Sequence, residues 1–237
     1  MSSLLDLVVS HSELMDVEDI FLKKEVKEKV ESLFLEHRFK EELLAENLPV
    51  TQKILFSGPT GCGKTALAGA IAKSLKKPLL SLNLSTIIDS KIGATSKNVK
   101  ALFDKAQRDK AVLFIDEFDQ IGTARSVDEK DVGEMRRLVN SLLQLVDQLG
   151  KEVLFIAATN FPEAIDTALL RRFQWHLIFE KPTKEKLDIY YEHLLKKYPN
   201  TWGPIYRKYD CSYAEAKDDI IAQLKKNFLL MLKDNKD

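Results

Sequence analysis

One stretch of the sequence has residue types and spacing that can hold phosphate: Gly58–Pro59–Thr60–Gly61–Cys62–Gly63–Lys64–Thr65. It fits the pattern G-x-x-x-x-G-K-[ST], and each fixed position has a physical reason. Glycines let the backbone curl until its N–H groups point inward at phosphate oxygens. A helix starting where the loop ends would add the partial positive charge of its N-terminus. Lys64 would reach the β- and γ-phosphates, and the Thr65 hydroxyl would ligate Mg²⁺. Ala66 closes the stretch expected to contact nucleotide. The bland alternative is a chance match in a turn. The strand-like run Lys53–Phe56 before the loop and the helical spacing after it argue against that.

Three further groups downstream can act on a phosphate held there. Asp116–Glu117 follows the apolar run Ala111–Ile115. The first carboxylate can hold the shell of a Mg²⁺ ion, and the second can polarise a water for in-line attack on a γ-phosphate. Adjacent acids at a strand end are otherwise a solvated turn; the phosphate loop upstream reverses that weighting. Asp119, in the same DEFD run, is either a local cap or a group behind the reacting ones. Asn160 ends the run Val153–Thr159 and is either a turn former or an amide that positions the attacking water. Arg171–Arg172 follow Ala168–Leu169–Leu170. A planar guanidinium suits a transferring phosphoryl group and can be supplied in trans, whereas an isolated Arg-Arg pair is usually a surface feature.

A scaffold must hold these residues, and the hydrophobic patterning predicts one. Five short runs, Lys53–Phe56, Pro78–Asn83, Ala111–Ile115, Val153–Ala158 and Trp175–Phe179, have the character of buried strands. Helical spacing separates them: Thr65–Leu75, Lys97–Arg108 and, most strongly, Val132–Leu149, which Gly150 ends as a cap. A helix over Leu22–Leu43 precedes them, with Val26, Val30, Leu33 and Phe34 on one face, and Pro49 stops regular structure. Strands apolar throughout, alternating with helices, predict a parallel sheet covered on both faces. After Pro182 only helical segments follow, Lys184–Lys197 and Tyr213–Leu232. The expected division is an N-terminal segment 1–21, an α/β domain 22–182 and a small helical domain 183–237.

The bulk numbers exclude more than they assign. With 237 residues, 45% of them hydrophobic, the chain can bury a sizeable core without disulfides or a structural metal. Lys plus Arg equals Asp plus Glu, 36 of each, so net charge gives no argument for nucleic acid or an anionic membrane. Cys62 and Cys211, as free thiols, point to a reducing compartment, and the four histidines form no zinc-site spacing. The N-terminal MSSLLDLVVSHSELMD lacks a basic leader, and Asp6 interrupts its apolar run, which predicts neither a signal peptide nor a membrane span. The expected location is the cytoplasm.

Taken in order, GPTGCGKT, LFIDEFD, IAATN and AIDTALLRRF resemble the motifs of the AAA family of ATPases, over about Val17 to the C-terminus. The resemblance implies ATP and Mg²⁺ as cofactors, Lys64 and Thr65 as Walker A residues, Asp116 and Glu117 as the Walker B pair, and Asn160 as sensor 1. It implies that Arg171 and Arg172 are arginine fingers reaching a neighbouring subunit's ATP. Asp19–Ile20–Phe21 falls where the family's backbone cradles adenine. Ser90–Asn98 matches a substrate-gripping pore loop with Lys91, Ile92 and Gly93 at its centre, and Lys91 stands where the family usually has an aromatic residue. Thr123–Gly133 matches a second pore loop. Ser212–Tyr213–Ala214–Glu215 falls where related ATPases place a sensor-2 arginine, and no arginine is present. The implied fold is α/β: a P-loop three-layer αβα domain with a five-stranded parallel sheet, followed by a small all-helical lid. The implied assembly is a ring of the chain with itself, usually hexameric. DEFDQIG followed by GEMRRLVNSLLQ is similar to small single-module bacterial AAA proteins, some of which occur beside subtilisin-like proteases.

Three functions are compatible with these residues. The first is an ATP-driven remodeller that moves or unfolds a protein partner, a protease partner included. The second is a nucleic-acid-linked ATPase, a loader or replication helper, with Lys91, Lys97 and Lys100 on phosphates; neutral net charge and the lack of an aromatic stacking platform weigh against it. The third is a nucleotide-dependent assembly switch, for which a hydrolytic base at Glu117 would be superfluous.

Overall fold

Short strands that are apolar on both faces can be stable only between two layers, and the chain folds accordingly. The computed structural model describes residues 14–84, 92–120, 140–199 and 202–234, and of 92–97 and 234 only the backbone. Strands β1 (Lys53–Ser57), β2 (Leu79–Asn83), β3 (Val112–Asp116), β4 (Leu154–Thr159) and β5 (Trp175–Ile178) form one five-stranded sheet in the order β2-β3-β4-β1-β5. Every pairing is parallel, with Ser57 level with Thr159 and Asn83 level with Asp116. β3 and β4, flanked by strands on both sides, are buried along almost their whole length, whereas the edge strand β5 is largely exposed. Each strand lies within one residue of the run expected from the sequence.

Helices departed further from the sequence pattern. In place of one helix over Leu22–Leu43 there are two, α1 (Lys24–Arg38) and α2 (Lys40–Ala45), broken at Phe39 with φ −104° and ψ 32°. Val26, Val30 and Leu33 give α1 its buried face, but Leu35 and Phe39 are exposed, so no continuous apolar stripe holds a longer rod together. The end of α1 instead grips the approach to β1. Glu36 Oε2 accepts the Thr51 N–H at 2.7 Å, and His37 Nε2 donates to the Thr51 carbonyl at 3.1 Å. Helix α3 (Lys64–Ser74) follows the glycine-rich loop, with Leu67, Ala68, Ala70 and Ile71 buried. Helix α4 (Ile92–Asp109) begins five residues before the expected Lys97. Of the helix expected over 132–149, the stretch 140–147 is described as α5; it buries Leu142 and Val146, and the earlier part lies outside the described residues.

Contacts divide the chain into two compact units. The first runs to Gly58 and resumes over Lys64–Ile178. Its core joins β3, β4 and α4 through Phe103, Phe118 and Phe155, with Phe173 packed against them. The Phe155 and Phe173 rings stack at 5.7 Å, and Phe118 meets Phe173 edge-on at 5.8 Å. The second unit comprises Pro59–Gly63 and the chain from Phe179 onward. Within it α7 (Lys184–Leu195) and α8 (Tyr213–Asp234) enclose Leu187, Tyr191, Cys211, Ala216, Ile220 and Leu224. Asp188 accepts from Arg207 Nη1 at 2.7 Å and from the Tyr209 hydroxyl at 2.8 Å, and both bonds hold its carboxyl below the usual range, Arg207 foremost. No helix among the described residues is long and apolar enough to cross a membrane.

Candidate active site

The glycine-rich loop runs from the C-terminal end of β1 into the first turn of α3. Gly58, Gly61 and Gly63 all have positive φ, at 136°, 77° and 100°, which side-chain-bearing residues rarely adopt. Lys64 heads α3 and is 6% exposed. Its ammonium donates back to the Gly58 carbonyl at 2.5 Å and across to Asn160 Oδ1 at 2.8 Å. A buried ammonium needs acceptors, and the loop and the end of β4 supply them. The tip of the loop belongs to the second unit. There the Gly61 carbonyl accepts the Ala214 N–H at 3.2 Å, at the first turn of α8. A Cβ on Gly61 would lie 2.5 Å from Ser212 Oγ and 2.9 Å from the Ala214 Cβ. Ser212 and Glu215 cap that turn reciprocally: Ser212 N–H donates to Glu215 Oε2 at 2.7 Å, and Glu215 N–H to Ser212 Oγ at 3.3 Å.

Thr65 and Asp116 meet although 51 residues separate them; the hydroxyl donates to Asp116 Oδ2 at 3.0 Å. A hydroxyl and a carboxylate this close are the hard oxygen donors Mg²⁺ takes from a protein when substrate phosphates and water complete its shell. Together with the left-handed glycines and the buried ammonium, this donor set fits a nucleoside triphosphate carrying that ion.

Glu117, just past β3, has φ 53°, a left-handed conformation in a residue other than glycine. Backbone strain of this kind concentrates at functional sites, and nothing in the residue types around Glu117 signals it. Its N–H donates to Asp116 Oδ1 at 2.9 Å, which shapes the turn. Asn160 stands at the end of β4, beside the strand that carries Asp116 and level with the start of the loop, where Gly58 N–H donates to the Thr159 carbonyl at 3.1 Å. Lys64, Thr65, Asp116, Glu117 and Asn160 therefore converge at the C-terminal ends of three adjacent strands, where ligands bind in open α/β sheets.

Other anticipated residues lie apart from this cluster or outside the described residues. Asp119 is 3% exposed, and its Oδ1 accepts from the Thr159 hydroxyl at 2.7 Å and from Asn160 N–H at 3.2 Å. The sequence signal that could have found this pair was Thr159, a hydroxyl ending an otherwise apolar strand. Arg171 and Arg172 follow the short helix α6 (Thr167–Leu170), which is anchored by buried Leu169. Arg171 is exposed, whereas the Arg172 Nε and Nη2 both reach Asp147 at 2.9 Å. Asp19 ends a 3₁₀ turn, Val17–Asp19, whose C-cap is Ile20, and Phe21 follows. This segment lies along α3: Leu14 reaches Gly69, and Asp16 pairs with Lys73 at 2.8 Å. Lys91 and 123–130 of the second loop lie outside the described residues, as does the rest of that loop, and of Ile92 and Gly93 only the backbone, opening α4, is described. Cys62 and Cys211 are buried and are not joined in a disulfide.

A family model for the ATPase family associated with various cellular activities (AAA) matches residues 54–181, from β1 to just beyond β5. The chain is 37% identical over 172 residues to y4kL, named an uncharacterized AAA family ATPase, of Sinorhizobium fredii, covering 73% of this chain and 52% of that protein. It is 35% identical over 187 residues to the ATP-dependent zinc metalloprotease FtsH of Helicobacter felis, covering 74% and 29% respectively. Against the peroxisomal ATPase PEX1 of Saccharomyces cerevisiae it is 40% identical over 165 residues, covering 65% and 15%. The chain thus spans about half the length of the first of these relatives and less than a third of the other two. The matched region contains the glycine-rich loop, the acidic turn, Asn160 and both arginines, so the family match and the converging side chains describe one site: the chain belongs to the AAA family of ATPases.

Proposed function

We propose that the chain performs Mg²⁺-dependent ATP hydrolysis as an oligomer and uses it to remodel or unfold a protein partner. The observation that carries this is the convergence of Lys64, Thr65, Asp116, Glu117 and Asn160 at one end of the sheet. In this proposal the loop N–H groups of Gly58–Ala66 hold the phosphates, and Lys64 neutralises the β- and γ-phosphate oxygens. Thr65 and Asp116 hold Mg²⁺, which when bound neutralises charge developing on those oxygens. Glu117 takes the proton from the attacking water, and Asn160 orients that water. Asp19–Phe21 line the adenine side, and 22–182 and 183–237 act as the ATPase domain and a helical lid. Arg171 completes the site of a neighbouring copy in a ring, with six copies the expected number. Lys91, Ile92 and Gly93 serve as the pore loop that grips the partner protein. The relatives named as ATP-dependent metalloproteases support protein as the substrate class.

Glu117→Gln tests the chemistry directly. The variant should keep wild-type ATP affinity and lose turnover by about a hundredfold or more. Phosphate release and nucleotide binding are both read, and normal turnover would remove Glu117 as the base. Stimulation of the wild-type rate by an unfolded protein, with none by single-stranded DNA, is the expected result for the coupled activity.

A further inference from the structure

Asp119 is a buried carboxylate with no direct part in the proposed chemistry, yet it sits where two parts of the site meet. It belongs to the turn after β3, two residues beyond Glu117. A single oxygen, Oδ1, accepts from the Thr159 hydroxyl at 2.7 Å and from the Asn160 backbone N–H at 3.2 Å. The Thr159 hydroxyl in turn accepts the Phe161 N–H at 2.9 Å. One backbone bond runs alongside, from Phe118 N–H to the Ala158 carbonyl at 2.8 Å. The backbone of 158–161 is thereby stitched to the acidic turn on both sides of Asn160. The side chain of Asn160 reaches Lys64, which donates to its Oδ1 at 2.8 Å.

Burying a carboxylate costs free energy unless hydrogen bonds compensate it, so its retention at 3% exposure needs a return. What this carboxylate adds is a fixed distance between the turn bearing Glu117 and the amide of Asn160. We infer that Asp119 is a positioning residue that sets the Asn160 amide against Glu117 and Lys64, acting through the Thr159 hydroxyl and the Asn160 N–H. The inference rests on the role proposed above for Asn160.

A double-mutant cycle on the full chain tests it, reading kcat at saturating ATP, nucleotide Kd and melting temperature. Asn160→Ala and Asp119→Ala should each lower kcat by about ten- to a hundredfold, the scale of a small misplacement at a reacting centre. Nucleotide Kd of Asp119→Ala should stay within about twofold, because neither Lys64 nor its acceptor Asn160 is replaced. The double variant should be no slower than Asn160→Ala alone, since a residue acting through Asn160 has nothing left to position. Asp119→Asn retains an acceptor for both bonds and should recover turnover to within about threefold of wild type. Losses that multiply in the double variant, or an Asp119→Ala protein with unchanged kcat, overturn the inference while the role of Asn160 stands. Full turnover by Asn160→Ala overturns the role of Asn160 itself, and the inference with it. Should Asp119→Ala fail to fold, the same cycle is run with Thr159→Val, which removes one of the two bonds, and Thr159→Ser as its rescue; the same outcomes decide.

Discussion

Arg171 and Arg172 are neighbours in sequence and differ in what their surroundings leave them free to do. Arg172 is bound at two nitrogens to Asp147 and also donates to the Ala168 carbonyl, so it fastens its own helix to α5. Arg171 is exposed. Arg171→Ala should therefore abolish most ATP turnover at unchanged melting temperature. Arg172→Ala should cost about 0.5–1.5 kcal/mol of stability, the discounted worth of a partly exposed bidentate pair. Paired thermal melts and phosphate-release assays separate the two, and equal loss of stability in both variants would show that the arginines are not distinct. From sequence alone the pair was two equal candidates, because a partner 25 residues away leaves no trace in local spacing. Lys64, Asp116 and Glu117 could be picked out as candidates because phosphate chemistry itself prescribes their spacing, with no knowledge of the fold. Asp119 was half legible: its acidity showed, its partners on β4 did not.

Among the elements, strands were read closely and helices less so. Strand runs are bounded by charged and polar residues that fix their ends, and a buried run of five leaves little choice. The break at Phe39 escaped because Phe34, Leu35 and Phe39 all look apolar in sequence, and only the fold decides which of them face solvent. Nor does the sequence place the tip of the glycine-rich loop in a unit with helices more than 100 residues later. That placement leaves no room for a side chain on Gly61. Gly61→Ala must bear a side chain at φ 77° and displace Ser212, which should destabilise the helical unit by about 1–3 kcal/mol. In a Ser212→Ala background the same substitution should cost less, because its nearest clash is gone. Melting temperatures of the four proteins check this, and equal costs in both backgrounds would place the strain in φ alone.

At the scale of the whole molecule, acid should destabilise the fold before its carboxylates are protonated. Burial, with Lys77 and Lys40 nearby, holds His37 below its ordinary value, against the opposing bond to the Thr51 carbonyl. Because that carbonyl can only accept, Nε2 carries the hydrogen of a neutral ring, and acid would have to add a second proton at Nδ1. A group whose folded value lies below its unfolded one contributes stability that is complete above the unfolded value and is lost as pH falls toward the folded one. The unfolded value is about 6.5, so His37→Gln should flatten the fall in melting temperature as pH drops through and below that value. Identical slopes with and without His37 would assign the acid sensitivity elsewhere. The proposed assembly gives the aromatic cluster a consequence of its own. Phe118, in the acidic turn, and Phe173, next to the arginines, lean on each other and on Phe155. In that assembly the turn bearing Glu117 and the segment bearing Arg171 would be joined through three packed phenyl rings, so each copy would announce the state of its pocket to the next through them.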